Sequence, residues 1–280
     1  MDLPYSAESQ SIGLEGVGNA RELGGYRSAD GRAVRRGLLL RSAAPVGATE
    51  ADRRRLRDVY NLTLVLDLRL GYERATSVPT DLPFVTVRPV GILDEERIMR
   101  ELRGASEQIG ADASPATMIT MAVDQGIVSD AMYVDFLEGE CGKRGYATVL
   151  RSLLAQPEGE ALLFHCTQGK DRTGLAAMLI LSALGVGEET ILFDFLLTNT
   201  FNAELIARER RMLVDYGIPA DQMDRYMHGF DQVFASTMRT AIEHLEREYG
   251  SVWGYIRGEL GVSEAERAEL RRRYLTGEGV

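Results

Sequence analysis

Apolar residues fall along the chain in two kinds of pattern, short continuous runs and longer amphipathic stretches. The run at 62–68 is broken only by Thr63 and Asp67, which suits a strand buried on both faces of a parallel sheet. Three further short runs predict strands, and paired glycines predict a turn within 19–26 because glycine adopts positive φ readily. The predicted strands cover residues 38–41, 62–68, 84–90 and 161–164.

Stretches with apolar positions three or four residues apart predict helices. Thr49, with Asp52 three residues later, resembles a capping box at the start of the first helix, and Gly217 with Pro219 predicts a stop after the fifth. No repeat, low-complexity tract or linker divides the sequence, which predicts a single domain over 1–280. The predicted helices cover residues 49–59, 145–155, 173–184, 188–199, 201–216, 231–249 and 263–274.

The pattern loosens between residues 92 and 145, where charges mix with methionines. Two short helices are compatible with this stretch, and its position between two core strands predicts an insertion that covers the fold as a lid. The alternative is that the methionines simply fill the core. They are Met99, Met118, Met121 and Met132.

Composition narrows the class of protein. The chain holds 32 Lys and Arg against 42 Asp and Glu, a formal net charge of −10. Hydrophobic residues make up 45% and charged residues 26%, which is typical of a globular protein and excludes a disordered chain. The acidic balance argues against nucleic acid or an anionic membrane as the main partner, although it allows a small basic pocket.

The cysteines and the N-terminus predict a location. Cys141 and Cys166 are too few for a disulfide framework, which favours a reducing compartment. The N-terminus holds no basic start followed by an apolar run, so no secretory signal is predicted. The longest apolar stretch, 175–186, is shorter than the ~20 residues that span a bilayer and predicts a core helix. We therefore expect a cytoplasmic protein without integral membrane association, with secretion by another route still open.

The segment 162–174 concentrates the candidate chemistry. An apolar strand ends at His165 and Cys166, a short polar loop follows, and a helix starts near Thr173. The six-residue spacing between Cys166 and Arg172 lets such a loop curl around a tetrahedral anion, with backbone N–H groups pointing inward. The planar guanidinium of Arg172 can hold two phosphate oxygens. The candidate phosphate-binding residues are Thr167, Gln168, Gly169, Lys170, Asp171 and Arg172.

Cys166 is the candidate nucleophile, because a cysteine beside cations at a helix N-terminus is commonly ionised at neutral pH. Thr173 is placed to hydrogen-bond the thiolate, and His165 is expected to fix the loop rather than act as a base. An ATP-binding loop is excluded, since Asp171 stands where Ser or Thr must follow the lysine and Phe164 where an earlier glycine is needed. No second Cys or His stands at a metal-ligand spacing, so no metal is predicted.

The string His165-Cys166-x5-Arg172-Thr173-Gly174 resembles the signature of cysteine-dependent protein tyrosine and dual-specificity phosphatases. Its Gly-Lys-Asp-Arg-Thr-Gly form resembles the bacterial subgroup typified by mycobacterial protein-tyrosine phosphatase B. Further segments agree with that subgroup, so the resemblance covers most of the chain. They are Asn19-x-Arg21-x-Leu23-Gly24-Gly25-Tyr26, Gly37-x-x-x-Arg41-Ser42, Asp67-Leu68-Arg69 with Glu73, and Leu196-Leu197-Thr198-Asn199.

The resemblance implies an α/β cysteine-phosphatase fold, with a central, mostly parallel sheet flanked by helices and a mobile helical lid within 92–145. It also implies a phospho-cysteine intermediate, no cofactor, and a phosphorylated protein or phosphoinositide as the substrate. Members of the subgroup act on phosphotyrosine, phosphoserine or phosphothreonine, and phosphoinositides. A second cation in the loop, Lys170, would favour substrates that carry more than one phosphate.

The general acid is less defined by the sequence, because no Trp-Pro-Asp tripeptide is present. The resembled subgroup carries an aspartate inside the loop, so Asp171 is the first candidate. Asp67 is the second, with a structural pairing to Arg172 or Arg21 as its alternative role. The remaining candidates are three aspartates of the predicted lid, Asp124, Asp130 and Asp135.

Three readings of the whole site stay open. The first is a cysteine phosphatase for phosphotyrosine, the second a phosphoinositide or inositol phosphate phosphatase, and the third a catalytically silent module that binds phosphorylated partners. Thiol redox chemistry is the weakest, since nothing pairs Cys141 with Cys166. Other side chains could contribute to the site or be structural: the tyrosines Tyr26, Tyr72 and Tyr133 and the arginines Arg21, Arg41 and Arg69.

Overall fold

The computed structural model describes residues 4–77, 81–100, 114–126 and 128–277. Its centre is a five-stranded sheet with the order β1-β2-β5-β3-β4, in which only the short β1 runs antiparallel to its neighbour. The prediction of a mostly parallel sheet flanked by helices is therefore confirmed. The strands are β1 (Arg21–Glu22), β2 (Leu39–Ser42), β3 (Leu62–Asp67), β4 (Thr86–Pro89) and β5 (Ala161–His165).

The register places three strand ends side by side. In the central strand β5, His165 lies opposite Ser42 of β2 on one side and Asp67 of β3 on the other. Parallel strands present their carboxyl ends at one edge of a sheet, and ligand sites of α/β folds form there. The loop that follows His165 therefore emerges between the ends of β2 and β3.

Helices occupy the positions that the hydrophobic pattern predicts, with several additions. Residues 95–100 are helical. Four helices of seven residues or fewer (α1, α3, α10 and α12) escaped prediction because they are too short to show a helical period. The helices are α1 (Ala7–Gln10), α2 (Glu50–Arg54, continued by a π-helical turn at Arg55–Val59), α3 (Gly71–Thr76), α4 (Pro115–Asp124), α5 (Met132–Glu138), α6 (Glu140–Ala155), α7 (Asp171–Leu184), α8 (Glu188–Phe201), α9 (Ala203–Asp215), α10 (Met223–Met227), α11 (Ala235–Tyr249), α12 (Val252–Gly258) and α13 (Glu264–Tyr274).

The sheet separates two apolar cores. Along β5, Leu162 and Phe164 point into the larger core, and Leu163 points into the smaller one, as the two-residue period of a strand requires. Side chains of α5, α6, α7, α8, α11, α12 and α13 fill the larger core. Helix α7, which follows the candidate loop, is therefore anchored by an almost continuous run of buried residues.

The predicted insertion at 92–145 is only partly described, because residues 101–113 and 127 lie outside the described residues. Its last residues belong to the core: α6 begins at Glu140, five residues before the predicted start, and both Gly142 and Gly145 are buried. A β-carbon at Gly145 would lie 2.5 Å from the Gly91 carbonyl oxygen, so this helix packs closely on the chain after β4.

Helix α4 of the same segment packs elsewhere. Its Val123 joins a third apolar cluster with residues of α9 and α10, apart from the two main cores. Of the four methionines in the segment, Met132 packs against the larger core, whereas the side chain of Met118 lies outside the described residues. In the part of the chain that the structure describes, every helix is too short or too polar to cross a bilayer.

Candidate active site

The loop that carries the candidate chemistry joins β5 to α7; we call residues 166–172 the phosphate loop. Gly169 has a φ of +68°, and a β-carbon there would lie 2.4 Å from the Ser42 carbonyl oxygen and 2.6 Å from the Ala43 nitrogen. Only glycine combines this left-handed conformation with such a close approach. The end of β2 therefore fixes the path of the loop.

Cys166 lies at the base of the phosphate loop and is 2% exposed. Helix α7 begins at Asp171, and the side chain of its N-cap residue, Lys170, makes no capping hydrogen bond. The free N–H groups of a helix start, with the positive end of the helix dipole, form a binding place for an anion. The strand–loop–helix arrangement thus brings Cys166, backbone donors and Arg172 to one point.

Arg172 is held by a carboxylate from α3. Its Nη1 donates to Glu73 Oε2 at 2.5 Å and its Nη2 to Glu73 Oε1 at 2.8 Å. The hydroxyl of Thr167 also donates to Glu73. Burial raises the pKa of Glu73, but the hydrogen bonds and charge of Arg172 outweigh burial and lower it to about 2. In the sequence Glu73 belongs only to the Asp67-Leu68-Arg69 motif, and its position beside Arg172 comes from the fold.

Lys170 and Asp171 contact each other under a cover of helices. Lys170 Nζ donates to Asp171 Oδ1 at 2.9 Å, and the hydroxyl of Tyr133 donates to the same oxygen at 2.7 Å. Burial lowers the pKa of Lys170, but the charge and hydrogen bond of Asp171 raise it above its usual value. The first candidate acid is therefore restrained by two donors, one of them from α5.

A pair of carboxyl groups lies behind Lys170. The backbone N–H of Asp231 donates to Glu209 Oε2 at 3.1 Å, and the charge of Asp231 reaches Lys170. Burial, the side-chain hydrogen bond with Asp231 and the charge of Asp231 raise the pKa of Glu209 to about 7, against the lowering effect of the backbone N–H. Neither carboxyl was predicted, because both are distant in sequence from the loop and stand in no recognisable spacing.

Asp67, the second candidate acid, is bound to Arg69. Arg69 Nε donates to Asp67 Oδ1 at 2.9 Å and Arg69 Nη2 to Oδ2 at 2.7 Å. Burial raises the pKa of Asp67, but the hydrogen bonds of Arg69 lower it below its usual value. The expected structural pairing with Arg172 or Arg21 is wrong, because the residue two positions along the chain occupies both carboxylate oxygens.

Arg21 and Arg41 are fully buried behind the phosphate loop, where both pair with one carboxylate. Arg21 Nε donates to Asp194 Oδ1 at 3.0 Å, and Arg41 Nη1 donates to Asp194 Oδ2. Arg41 Nη2 also donates to the Gly169 carbonyl at 2.8 Å, and the amide of Asn19 donates to the same carbonyl at 3.0 Å. This cluster on α8 and β2 holds the loop from its buried side.

His165 and Thr173 flank the loop and are both fully buried. His165 Nδ1 lies 2.9 Å from the Cys166 carbonyl oxygen, and burial lowers the pKa of His165. Within the described ranges, His165 Nε2 and the Thr173 hydroxyl have no hydrogen-bond partner. A neutral, buried imidazole bonded to the loop backbone suits a fixing role.

The aspartates of the predicted lid are placed away from the loop or bonded elsewhere. Asp124 accepts from Arg225 at 2.8 Å, and Asp130 accepts from the Thr237 hydroxyl at 2.6 Å. Asp135 lines a separate cavity beside Cys141. Of the three tyrosines, Tyr133 reaches the loop, Tyr26 bonds Asp194 on the buried side, and Tyr72 lies within range of the Arg172 charge. The side chain of Tyr26 is buried and that of Tyr72 is half-buried.

The two sides of the phosphate loop differ in access. Lys170 and Asp171 line an enclosed space of about 10 Å³, covered by Tyr133, Phe195 and the segment around His228. Thr167 and Gln168 line an open cleft of about 880 Å³. Among the residues with described positions, no group of three or more His, Cys, Asp or Glu side chains could hold a metal ion.

Comparison with known proteins adds independent support. A model of the tyrosine phosphatase family matches residues 12–276. The chain is 32% identical over 273 residues to a Cupriavidus necator protein whose name marks it as a provisional tyrosine-protein phosphatase, covering 95% of this chain and 89% of that protein. It is 27% identical over 277 residues to the triple specificity protein phosphatase PtpB of Mycobacterium tuberculosis, covering 92% and 96%. A tyrosine-protein phosphatase of Nostoc commune is 32% identical over 132 residues, 46% of this chain and 43% of that one.

The chain therefore belongs to the tyrosine phosphatase family. The class of enzyme predicted from the sequence, a protein-tyrosine phosphatase, is confirmed. A phosphorylated substrate follows from that class.

Proposed function

We propose that this protein hydrolyses phosphotyrosine, with phosphoserine and phosphothreonine as further substrates, through a covalent phospho-cysteine intermediate. The observation that carries the proposal is the placement of Cys166 and Arg172 on one loop at the uncapped start of α7. The helix start and the guanidinium stabilise both the thiolate and the negative charge of the transferred phosphoryl group.

In the first step the Cys166 thiolate attacks phosphorus, an S–P bond forms, and the bond from phosphorus to the leaving oxygen breaks. Asp171 donates the proton that the leaving oxygen needs. In the second step a water attacks phosphorus and gives its proton to Asp171, and the S–P bond breaks to release inorganic phosphate and the thiolate. Thr173, whose hydroxyl has no partner among the described residues, is free to donate a hydrogen bond to the departing thiolate.

The hydrogen bonds of Arg172 support this assignment. With Glu73 fixing two of its nitrogens, the guanidinium keeps one orientation while phosphate binds and leaves. A bidentate pair of this kind reduces the conformational freedom that the arginine would lose on binding.

A second candidate function is hydrolysis of phosphoinositides or inositol phosphates. The observation in its favour is Lys170, a buried cation within the phosphate loop that pairs with Asp171. A substrate with an additional phosphate could take the place of that carboxylate. The name of the M. tuberculosis relative, a triple specificity phosphatase, also suits more than one class of substrate.

The test is phosphate release in the presence of EDTA from an aryl phosphate, a phosphotyrosine peptide, a phosphoserine peptide and a phosphoinositide. We expect turnover of the phosphotyrosine peptide to disappear in Cys166→Ser and to persist in Cys141→Ser, a matched control because Cys141 lies outside the loop. A phosphoinositide hydrolysed faster than the peptide would favour the second candidate. Absence of turnover with retained phosphate binding would favour a silent binding module.

We also propose that the protein works in the cytoplasm. Both Cys141 and Cys166 carry free thiols, which suits a reducing compartment. Fractionation of cells that express the tagged full chain tests this location.

A further inference from the structure

The open cleft beside the phosphate loop carries charge that the chemistry at Cys166 does not use. Its volume is about 880 Å³, and Thr167 and Gln168 of the loop form part of its lining. Helix α9 contributes Glu204, Arg208 and Arg211 to the same lining. Residues at this spacing, four and three apart, lie on one face of a helix.

Two of the arginines in the cleft are unneutralised. Arg208 and Arg211 are exposed, and neither side chain makes an ion pair or hydrogen bond with any residue that the structure describes. Arg69 also lines the cleft, but Asp67 neutralises its charge. Two unpaired cations that face a cavity next to the loop form a local basic site. This site stands out because the whole chain has a net charge of −10.

An independent observation points to a ligand at the same place. Asn202 lines the cleft and is only 8% exposed, yet its Nδ2 has no acceptor within the described part of the chain. Buried polar groups without a partner are rare in folded proteins because desolvation is not compensated. A bound acceptor would satisfy this amide.

The remaining lining indicates what kind of molecule carries the anion. Val46, Phe201 and Leu205 add apolar surface between the arginines and the loop residues. A recessed cleft with mixed apolar and cationic walls suits an extended polypeptide. A membrane surface requires an exposed basic face and is repelled by the acidic remainder of the molecule.

We propose that this cleft binds an anionic side chain, phosphate or carboxylate, that flanks the phosphorylated residue of a polypeptide substrate. The enzyme then prefers doubly phosphorylated or acidic phosphopeptides to neutral ones. This inference rests on the proposed function, since it assumes that the phosphate loop receives the first phosphate.

The test compares kcat/KM for three phosphotyrosine peptides of equal length: one with neutral flanks, one with flanking glutamates and one with a second phosphorylated residue. The ratio of the anionic to the neutral peptide should fall about tenfold in Arg208→Ala/Arg211→Ala, because exposed charge pairs contribute modestly and two are removed. Glu204→Gln should raise the ratio. Arg257→Ala is the matched control, an exposed arginine on α12 that does not line the cleft.

Three results would overturn the inference: a wild-type ratio near one, a ratio unchanged in the double variant, or an equal fall in Arg257→Ala. The inference would also be overturned if the double variant lost binding to phosphoinositide vesicles while its peptide ratio stayed constant. If no peptide is hydrolysed, the proposed function fails, and the cleft is tested by the affinity of Cys166→Ser for the same peptides. Anion-dependent binding that Arg208→Ala/Arg211→Ala removes would still support the cleft, and binding without that dependence would contradict it.

Discussion

At the scale of single residues, backbone conformation and hydrogen bonds shape the candidate site as much as reactive groups do. Gly169 combines a φ of +68° with contact to the end of β2, and Tyr133 reaches the first candidate acid from a helix 38 residues earlier in the chain. Neither supplies reactive chemistry, but both determine where the reactive groups stand.

Gly169→Ala should reduce kcat/KM by about 100-fold or more, because a methyl group would push the loop away from Ser42. The free energy of unfolding should also fall by about 2 kcal/mol. Gly159→Ala is the control: its φ is +83°, but no described atom lies within 4 Å of a β-carbon placed there. Equal loss of activity in the two variants would show that backbone strain, and not the contact, is responsible.

Tyr133→Phe should lower kcat by about tenfold with little change in KM, because Asp171 loses the neutral donor that orients it. Steady-state kinetics on an aryl phosphate measure this effect. Tyr249→Phe removes a comparable hydrogen bond to Glu138 outside the site and should leave kcat unchanged. A larger KM with constant kcat in Tyr133→Phe would instead indicate a role in binding alone.

At the scale of helices and strands, one buried carboxylate ties separate elements to the loop. Asp194 of α8 pairs with Arg21 of β1 and Arg41 of β2, and Arg41 in turn holds the Gly169 carbonyl. Burial raises the pKa of Asp194, but the two arginine charges lower it below its usual value. The cluster thereby connects the stability of the sheet edge to the shape of the site.

Asp194→Asn should reduce the free energy of unfolding by about 3–5 kcal/mol, since two buried guanidinium groups lose their counter-charge. Because the folded pKa lies below the unfolded value of about 4, the wild-type stabilisation is present above that pH and is lost on further acidification. Urea unfolding at several pH values tests both points. Asp58→Asn, which breaks an exposed pair with Arg57, should cost far less.

These elements also show what the hydrophobic pattern could predict. Strands β3 and β5 and helix α7 are buried and strongly patterned, and each was predicted to within two residues. The start of α6 was missed by five residues because Gly142, a poor helix former, stands in its first turn, where a β-carbon would lie 1.8 Å from the Phe136 carbonyl oxygen. Tertiary contact overrode local propensity at this point.

At the scale of the whole molecule, some of the helices pack in a third apolar cluster, apart from the two main cores. Helices α4, α9 and α10 share this cluster, and Glu209 of α9 accepts a hydrogen bond from Asp231, whose charge reaches Lys170. Glu209, whose pKa is raised to about 7, therefore links α9 to the site.

The global stability should therefore depend on pH through Glu209. Its pKa is about 7 in the folded protein and about 4.3 when unfolded, so between these values only the folded state keeps the proton. Stability consequently falls as the pH rises through this window, by on the order of 1 kcal/mol. Glu209→Gln should remove this slope in thermal unfolding, whereas the exposed Glu246→Gln should keep it. A slope that survives in Glu209→Gln would assign it to other groups.

The sequence by itself determined the reactive loop, because Cys166, Lys170, Asp171 and Arg172 are neighbours along the chain and a strand–loop–helix pattern fixes their arrangement. Only the tertiary structure decided the partners of this loop, which lie 38 positions away for Tyr133 with Asp171, 99 for Glu73 with Arg172 and 128 for Arg41 with Gly169. No local spacing encodes such pairs. They form because the sheet brings the ends of β2, β3 and β5 to one edge, where helices from distant parts of the chain cover them.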